Sequence, residues 1–244
     1  MTQRLSLPIR IITIVVLFPA IFHPVSSMGN DETWMKQRLE LIDVLRKQGI
    51  TNQNVISAMI EVPRHEFVPL ALRNYSYLNQ PLPIGHDQTI SQPYIVAYMC
   101  QALDLKEDDR VLEIGTGSGY NAAVMSQIVE TVYSIEIIPD LGTSAEKLLG
   151  KLGYSNIEIN IGDGYQGWPE HAPFSAIILT AAPSEIPQPL IDQLAENGRL
   201  LAPVGTDWQD LVLVEKTPDG LMRKNLIPVR FVPMTGEAEK PRVK

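Results

Sequence analysis

Val111-Leu-Glu-Ile-Gly115-Thr-Gly117-Ser-Gly119 is a short apolar strand that meets an acidic residue and runs straight into a loop with glycine at every second position. Glycines at 115, 117 and 119 remove the Cβ atoms that would keep a ligand off the backbone, and they permit the positive φ values of a tight strand-to-helix turn. Tyr120 to Val129 follows with a helical pattern, whose N-terminus would turn free N–H groups and a partial positive charge toward that ligand. Gly115, Thr116, Gly117, Ser118 and Gly119 are therefore the expected contacts of a nucleotide-type cofactor.

The spacing separates two cofactor classes. A dinucleotide fingerprint is G-x-G-x-x-G, but here the third glycine comes one residue early and Tyr120 stands in the fingerprint position. The E-x-G-x-G form, with Glu113 before the glycines, resembles class I methyltransferases that bind S-adenosylmethionine (AdoMet). An acidic residue at the strand end suits a cofactor that carries a sulfonium and an α-amino group.

Two more acidic strand ends follow. Thr131 to Ile135 alternates like a strand and ends in Glu136, about 20 residues beyond Gly115, where a carboxylate can accept both ribose hydroxyls. After a helical segment from Pro139 to Leu152, the strand Ile157 to Ile161 opens into Gly162-Asp163-Gly164, which places Asp163 to accept from an adenine amino group beside Gly164. Seen singly, Glu136 is an exposed strand end and Asp163 an ordinary turn. Together with Glu113 they are carboxylates on successive strand ends, which share one edge of a parallel sheet.

Strands are expected at 110–114, 131–135, 157–161, 175–180, 199–204, 210–215 and 226–232. Helices between the early ones imply an α/β, three-layer Rossmann-like fold with a mainly parallel twisted sheet. The turn Thr217-Pro-Asp-Gly220 closes a C-terminal antiparallel hairpin. The chain divides into a leader over 1–27, N-terminal helices and a substrate-side loop over 28–90, and a cofactor-binding core over 91–244.

With 244 residues, 45% of them hydrophobic, the chain can bury a full core. A net charge of −8 repels phosphates and argues against a nucleic-acid partner. Metal chemistry finds no foothold: Cys100 is the single cysteine and reads as a core residue, and His23, His65, His86 and His171 lack ligand spacing. There is no G-x-S-x-G elbow either.

Arg4 and Arg10 precede an apolar run from Ile11 to Phe22, followed by Val25-Ser-Ser27, in the manner of a secretory signal. The run is about half the ~20 residues of a membrane span and contains Pro19, so no stable span is expected. Translation from Met28 or Met35 is the alternative, with an amphipathic helix over Met35 to Gly49 (Leu39, Leu41, Ile42, Leu45) as first element. The compartment is cytoplasmic on the ground of AdoMet supply, or periplasmic if the leader exports the chain.

Between this helix and the glycine loop lies a proline- and glycine-punctuated loop, Pro81 to Pro93, that enters a helix with Ile95, Val96, Met99, Cys100 and Leu103 on its apolar face. Ser91 reads as that helix's N-cap, with Pro93 in the first turn. A hydroxyl beside free helix-start donors is also where a carboxylate substrate would be held.

The chain resembles the protein-L-isoaspartate O-methyltransferases over about residues 35 to 236. The matching segments include Val62-Pro-Arg64, Leu82-Pro-Ile-Gly85, Gln88-Thr-Ile-Ser-Gln-Pro93, Val111 to Tyr120, Gly162-Asp-Gly164, Thr180-Ala-Ala-Pro183, Pro203-Val-Gly205 and Phe231-Val-Pro233. The resemblance implies AdoMet-dependent methyl esterification of L-isoaspartyl, and also D-aspartyl, residues in damaged proteins, by a monomer. It implies Ser91 as the active-site residue, with Thr89, Ile90, Gln92, Phe231, Val232 and Pro233 beside the peptide. The last three read equally as a buried edge strand. Gly142 and Thr143 depart from the family's pattern, in a helix usually richer in alanine and charge. Another methyl acceptor, or AdoMet binding without catalysis, are the other readings.

Overall fold

The computed structural model describes residues 25–239, with side chains from Asp31 onward, so the leader lies outside the described residues except for the backbone of Val25–Ser27. In chain order the elements are α1 (Val25–Lys47), α2 (Gln53–Glu61), β1 (Leu82–Gly85), β2 (Gln88–Ile90), α3 (Pro93–Ala102), β3 (Arg110–Ile114) and α4 (Tyr120–Ser126). There follow β4 (Thr131–Glu136), α5 (Pro139–Leu152), β5 (Ile157–Ile161), β6 (Phe174–Leu179), α6 (Gln188–Asp192), β7 (Leu194–Gly205), β8 (Gln209–Thr217) and β9 (Gly220–Val229).

Seven strands form one sheet in the order β5-β4-β3-β6-β7-β8-β9, and the first five of these run parallel. The chain builds outward from β3 through β4 to β5, then returns to lay β6 on the other side of β3. That reversal opens a crevice at the carboxyl ends of β3, β4 and β6, the usual place for a ligand in a doubly wound sheet. β7, β8 and β9 complete an antiparallel meander.

Alternation along the strands sends side chains into two cores. Val111, Val132, Ala176, Ile178 and Leu201 meet the apolar faces of α1 to α4. Leu112, Ile135, Ile177, Leu179 and Leu200 point the other way, toward Leu190 of α6 and Met234. The second layer is thinner, with short helical turns around Tyr165 and Trp168 in place of long helices.

Several boundaries differ from expectation. α4 stops at Ser126, and the expected strand 226–232 is the end of β9, which begins at Gly220 and leaves the ladder after Val229. The segment over 81–93 is not all loop: β1 and β2 pair as an antiparallel hairpin, with His86 and Asp87 both at positive φ in its tip. α2 was not foreseen; Asn52 caps it by accepting from the Asn54 and Val55 N–H groups. Leu41, Ile42 and Leu45 are buried as the helical pattern requires, but Leu39 is exposed. Cys100 is buried core, and burial pushes its thiol up to about 12.

Candidate active site

A cavity of about 850 Å³ lies in the crevice at the carboxyl edge of the sheet. Its floor is the glycine loop. Gly119 adopts φ 84° as the N-cap residue of α4, and Gly115, at φ 102°, has no room for a Cβ because Thr180 Oγ1 lies there. Thr180 Oγ1 in turn donates to the carbonyls of Gly115 (2.6 Å) and Ile114 (3.1 Å), which ties the loop to the end of β6.

Glu136 and Asp163 both line the cavity. The Glu136 carboxylate accepts from Gly117 N at 2.7 Å and from Ile138 N at 2.9 Å, so it is held between the glycine loop and the start of α5. Asp163 accepts from Tyr165 N at 2.9 Å and from Glu237 N at 2.7 Å. Each oxygen keeps a second lone pair for a ligand. Gly164 is buried because Ile114 Cγ2 leaves no space for a Cβ. Gly142, the departure noted in α5, brings that helix close to the strand end: an added Cβ would sit 3.3 Å from Glu136 Cβ and 3.0 Å from Ile161 Cγ1.

Glu113 is placed differently from the expectation. It is fully buried behind the loop and does not line the cavity. Asn121 Nδ2 donates to it at 2.8 Å and Ser134 Oγ at 2.5 Å, and Ser134 Oγ is 2.6 Å from Thr116 Oγ1. Asn121 and Thr116 do line the cavity, so Glu113 reaches it through them. Burial raises its carboxyl to about 7.

On the opposite wall stand Thr89, Ile90, Ser91 and Gln92. Ser91 is not the N-cap. α3 is capped at Gln92, with no side-chain cap hydrogen bond, and the reason is local: Pro93 has no N–H to satisfy, and Tyr94 N already donates to Asn79 Oδ1 at 3.0 Å. Those helix-start donors are therefore closed to a substrate. Ser91 Oγ carries no hydrogen bond within the described residues and is free to face a ligand, while the Ser91 carbonyl accepts from Arg64 Nη2.

Phe231, Val232 and Pro233 complete the wall, but as an extended segment past the end of β9 and not as a buried edge strand. The Gln209 side chain takes both hydrogen-bonding positions of Phe231, donating to its carbonyl at 3.1 Å and accepting from its N–H at 2.6 Å. Ala182 then bonds Val232 O and Met234 N, each at 2.8 Å. Trp208, 91% exposed, stands at the mouth. Sequence reading gave no role to Thr180, although it opens the quoted segment Thr180-Ala-Ala-Pro183, and missed Asn121, Trp208 and Gln209, none of which belongs to a motif whose spacing marks it.

Comparison with known proteins gives one family. The model of the protein-L-isoaspartate(D-aspartate) O-methyltransferase (PCMT) family matches residues 36–239. The chain is 54% identical over 200 residues to the protein-L-isoaspartate O-methyltransferase of Gloeobacter violaceus, covering 81% of this chain and 97% of the relative. It is 44% identical over 245 residues to protein-L-isoaspartate O-methyltransferase 1 of Cupriavidus necator, covering 95% of each. A solved protein-L-isoaspartate O-methyltransferase superposes with a TM-score of 0.76 at 32% identity, over 82% of this chain and 67% of that one. A Plasmodium falciparum protein assigned as a beta-aspartate methyltransferase (PCMT), solved with S-adenosyl-L-homocysteine, gives 0.71 at 28% identity, over 80% and 97%.

Proposed function

The chain belongs to the protein-L-isoaspartate(D-aspartate) O-methyltransferase family, and from this we infer that it transfers the methyl group of AdoMet to the free carboxylate of L-isoaspartyl residues in damaged proteins and peptides. The observation that carries the reading is a single cavity lined both by a cofactor wall, Gly115–Ser118, Glu136 and Asp163–Gly164, and by an acceptor wall, Thr89–Gln92 and Phe231–Pro233, while Gly119 packs behind the loop against Ala145 and Leu149 of α5.

AdoMet supplies an electrophilic methyl on a cationic sulfonium. Glu136 would accept the ribose hydroxyls, Asp163 the adenine amino group, and the Gly115 to Ser118 backbone would lie under the cofactor. Glu113 acts from behind by orienting Asn121 and the Ser134–Thr116 pair. The acceptor carboxylate is ionised at neutral pH, so no general base is needed. What the chain must do is desolvate that carboxylate, align one oxygen with the methyl group at about 3 Å and exclude water. We assign the alignment to the Ser91 hydroxyl, with Thr89, Ile90 and Gln92 beside it and the peptide running along Phe231–Pro233. The oxygen–methyl bond forms as the sulfur–methyl bond breaks, and no proton moves. Outside the enzyme, attack of the peptide nitrogen on the ester expels methanol and leaves a succinimide, which hydrolyses partly to normal aspartate.

The full chain with methyl-labelled AdoMet and paired peptides, differing only in L-isoaspartate against L-aspartate, tests this. Base-labile label on the isoaspartyl peptide alone is expected, and label on neither would sink the assignment. A Ser91→Ala variant should keep cofactor affinity and lose turnover by about 10²-fold. We further place the enzyme in the cytoplasm, where AdoMet is made, and as a monomer, since one chain supplies both walls of the cavity; gel filtration at the mass of a dimer would refute the latter. Among the described residues no helix is long and apolar enough to cross a membrane.

A further inference from the structure

Arg64 is a fully buried cation without an anionic partner among the described residues. Its Nε donates to Ser76 O and its Nη2 to Ser91 O, each at 2.8 Å, and its Nη1 has no hydrogen-bond partner among the described residues. Its Cζ lies 4.7 Å from the centre of the Tyr120 ring. Every one of these contacts is neutral. An apolar side chain of similar volume usually fills such a place at lower cost, so packing alone does not account for the charge.

Two of the groups it touches lie on the cavity. Ser91 is on the acceptor wall, and Tyr120 follows the glycine loop. The charged residues that line the cavity itself are Glu136, Asp163, Asp207 and the exposed Arg230. A carboxylate acceptor thus enters a cavity whose wall carries more negative than positive charge. The helix start beside Ser91 offers little help, because Pro93 lacks an N–H and the Tyr94 N–H is taken by Asn79. The cation placed to offset this is Arg64, directly behind the Ser91 carbonyl.

We propose that Arg64 is a positioning residue whose charge holds the acceptor carboxylate at Ser91, so that the substrate brings the counter-ion that the described residues do not supply. The inference rests on the isoaspartyl reading above. Methyl transfer removes the negative charge of the acceptor, so the attraction belongs to the bound substrate and acts on KM, with kcat little changed.

The test compares binding of an isoaspartyl peptide with that of its neutral isoasparaginyl counterpart, to the full chain with S-adenosyl-L-homocysteine present. The wild type should favour the charged peptide by about tenfold or more. Arg64→Gln should bring the two affinities within about twofold, while Arg64→Lys keeps most of the preference. Arg64→Met serves as a second neutral variant should the glutamine form fail to fold, since it removes the buried charge without adding a polar group. KM for the isoaspartyl peptide should rise about tenfold in the neutral variants, with kcat and S-adenosyl-L-homocysteine affinity within about twofold. Equal wild-type affinity for the two peptides overturns the proposal without any variant. So does a neutral variant that keeps the wild-type ratio, or one that weakens both peptides alike, which is the mark of a packing role. Failure of the wild type to methylate the isoaspartyl peptide would refute the functional reading instead.

Discussion

Glu113 is a buried carboxylate whose oxygens face the Ser134 hydroxyl and the Asn121 amide. Burial lifts its carboxyl from 4.5 to about 7, against the smaller opposing effect of those two donors. In the unfolded chain the group ionises near 4.5, so between the two values the folded chain binds the extra proton and stability falls as pH rises. Glu113→Gln removes this dependence. Urea denaturation across pH 4 to 8 should show the variant gaining on the wild type by roughly 3 kcal/mol as pH rises, and levelling off above about 7. Parallel curves would mean that Glu113 titrates alike in the folded and unfolded chains. The same residue marks a limit of sequence reading: its type and place at a strand end were legible, but not that it would turn behind the loop to hold Asn121 and Ser134. Arg64 lay in a quoted motif, yet only the fold brings it against Ser91 and Tyr120, because those contacts join residues far apart in the chain.

At the scale of elements, α5 gives a clean test of helix propensity. Gly150 is exposed in its last turn, and a Cβ there would meet nothing within 4 Å. Gly150→Ala should therefore stabilise the fold by about 0.5–1 kcal/mol, read as a higher urea midpoint at unchanged slope. A loss of stability would show that the last turn needs the backbone freedom of glycine. Elements with a strong period were the ones sequence showed best: β3 and β5 match within a residue, and β4 gains only Glu136, because β3 is a short apolar run, β4 and the edge strand β5 alternate apolar with polar residues, and β3 and β5 end in glycine turns. The β1–β2 hairpin was hidden for a physical reason. Its tip puts His86 and Asp87 in the left-handed region, and neither residue carries the Asn-Gly signature that marks such a turn. α2 was legible in principle, since Asn52 before Val55, Ile56 and Met59 is a cap followed by a helical apolar face. The end of β9 was not, because it is a side chain, Gln209, that occupies the backbone positions of Phe231.

On the scale of the whole molecule, the cavity is closed by contacts between distant parts of the chain. Glu237 N donates to Asp163 and so fixes the carboxylate assigned to the adenine end. A chain ending at Thr235 loses this bond, and its affinity for S-adenosyl-L-homocysteine should drop by about 3- to 10-fold, the worth of one hydrogen bond to a charged group. Calorimetry on the two chains would measure it, and unchanged affinity would show that Tyr165 N alone orients Asp163. The same link has a consequence for synthesis. Asp163 and Glu237 are 74 positions apart, and a ribosome adding about 5–20 residues per second delivers the second roughly 4–15 s after the first. The Phe231–Pro233 wall is among the last parts of the described chain to be made. A nascent polypeptide therefore carries the Thr89–Gln92 wall, the glycine loop, Glu136 and Asp163 well before the second acceptor wall at Phe231–Pro233, and methyl transfer that needs both acceptor walls waits for nearly the whole described chain.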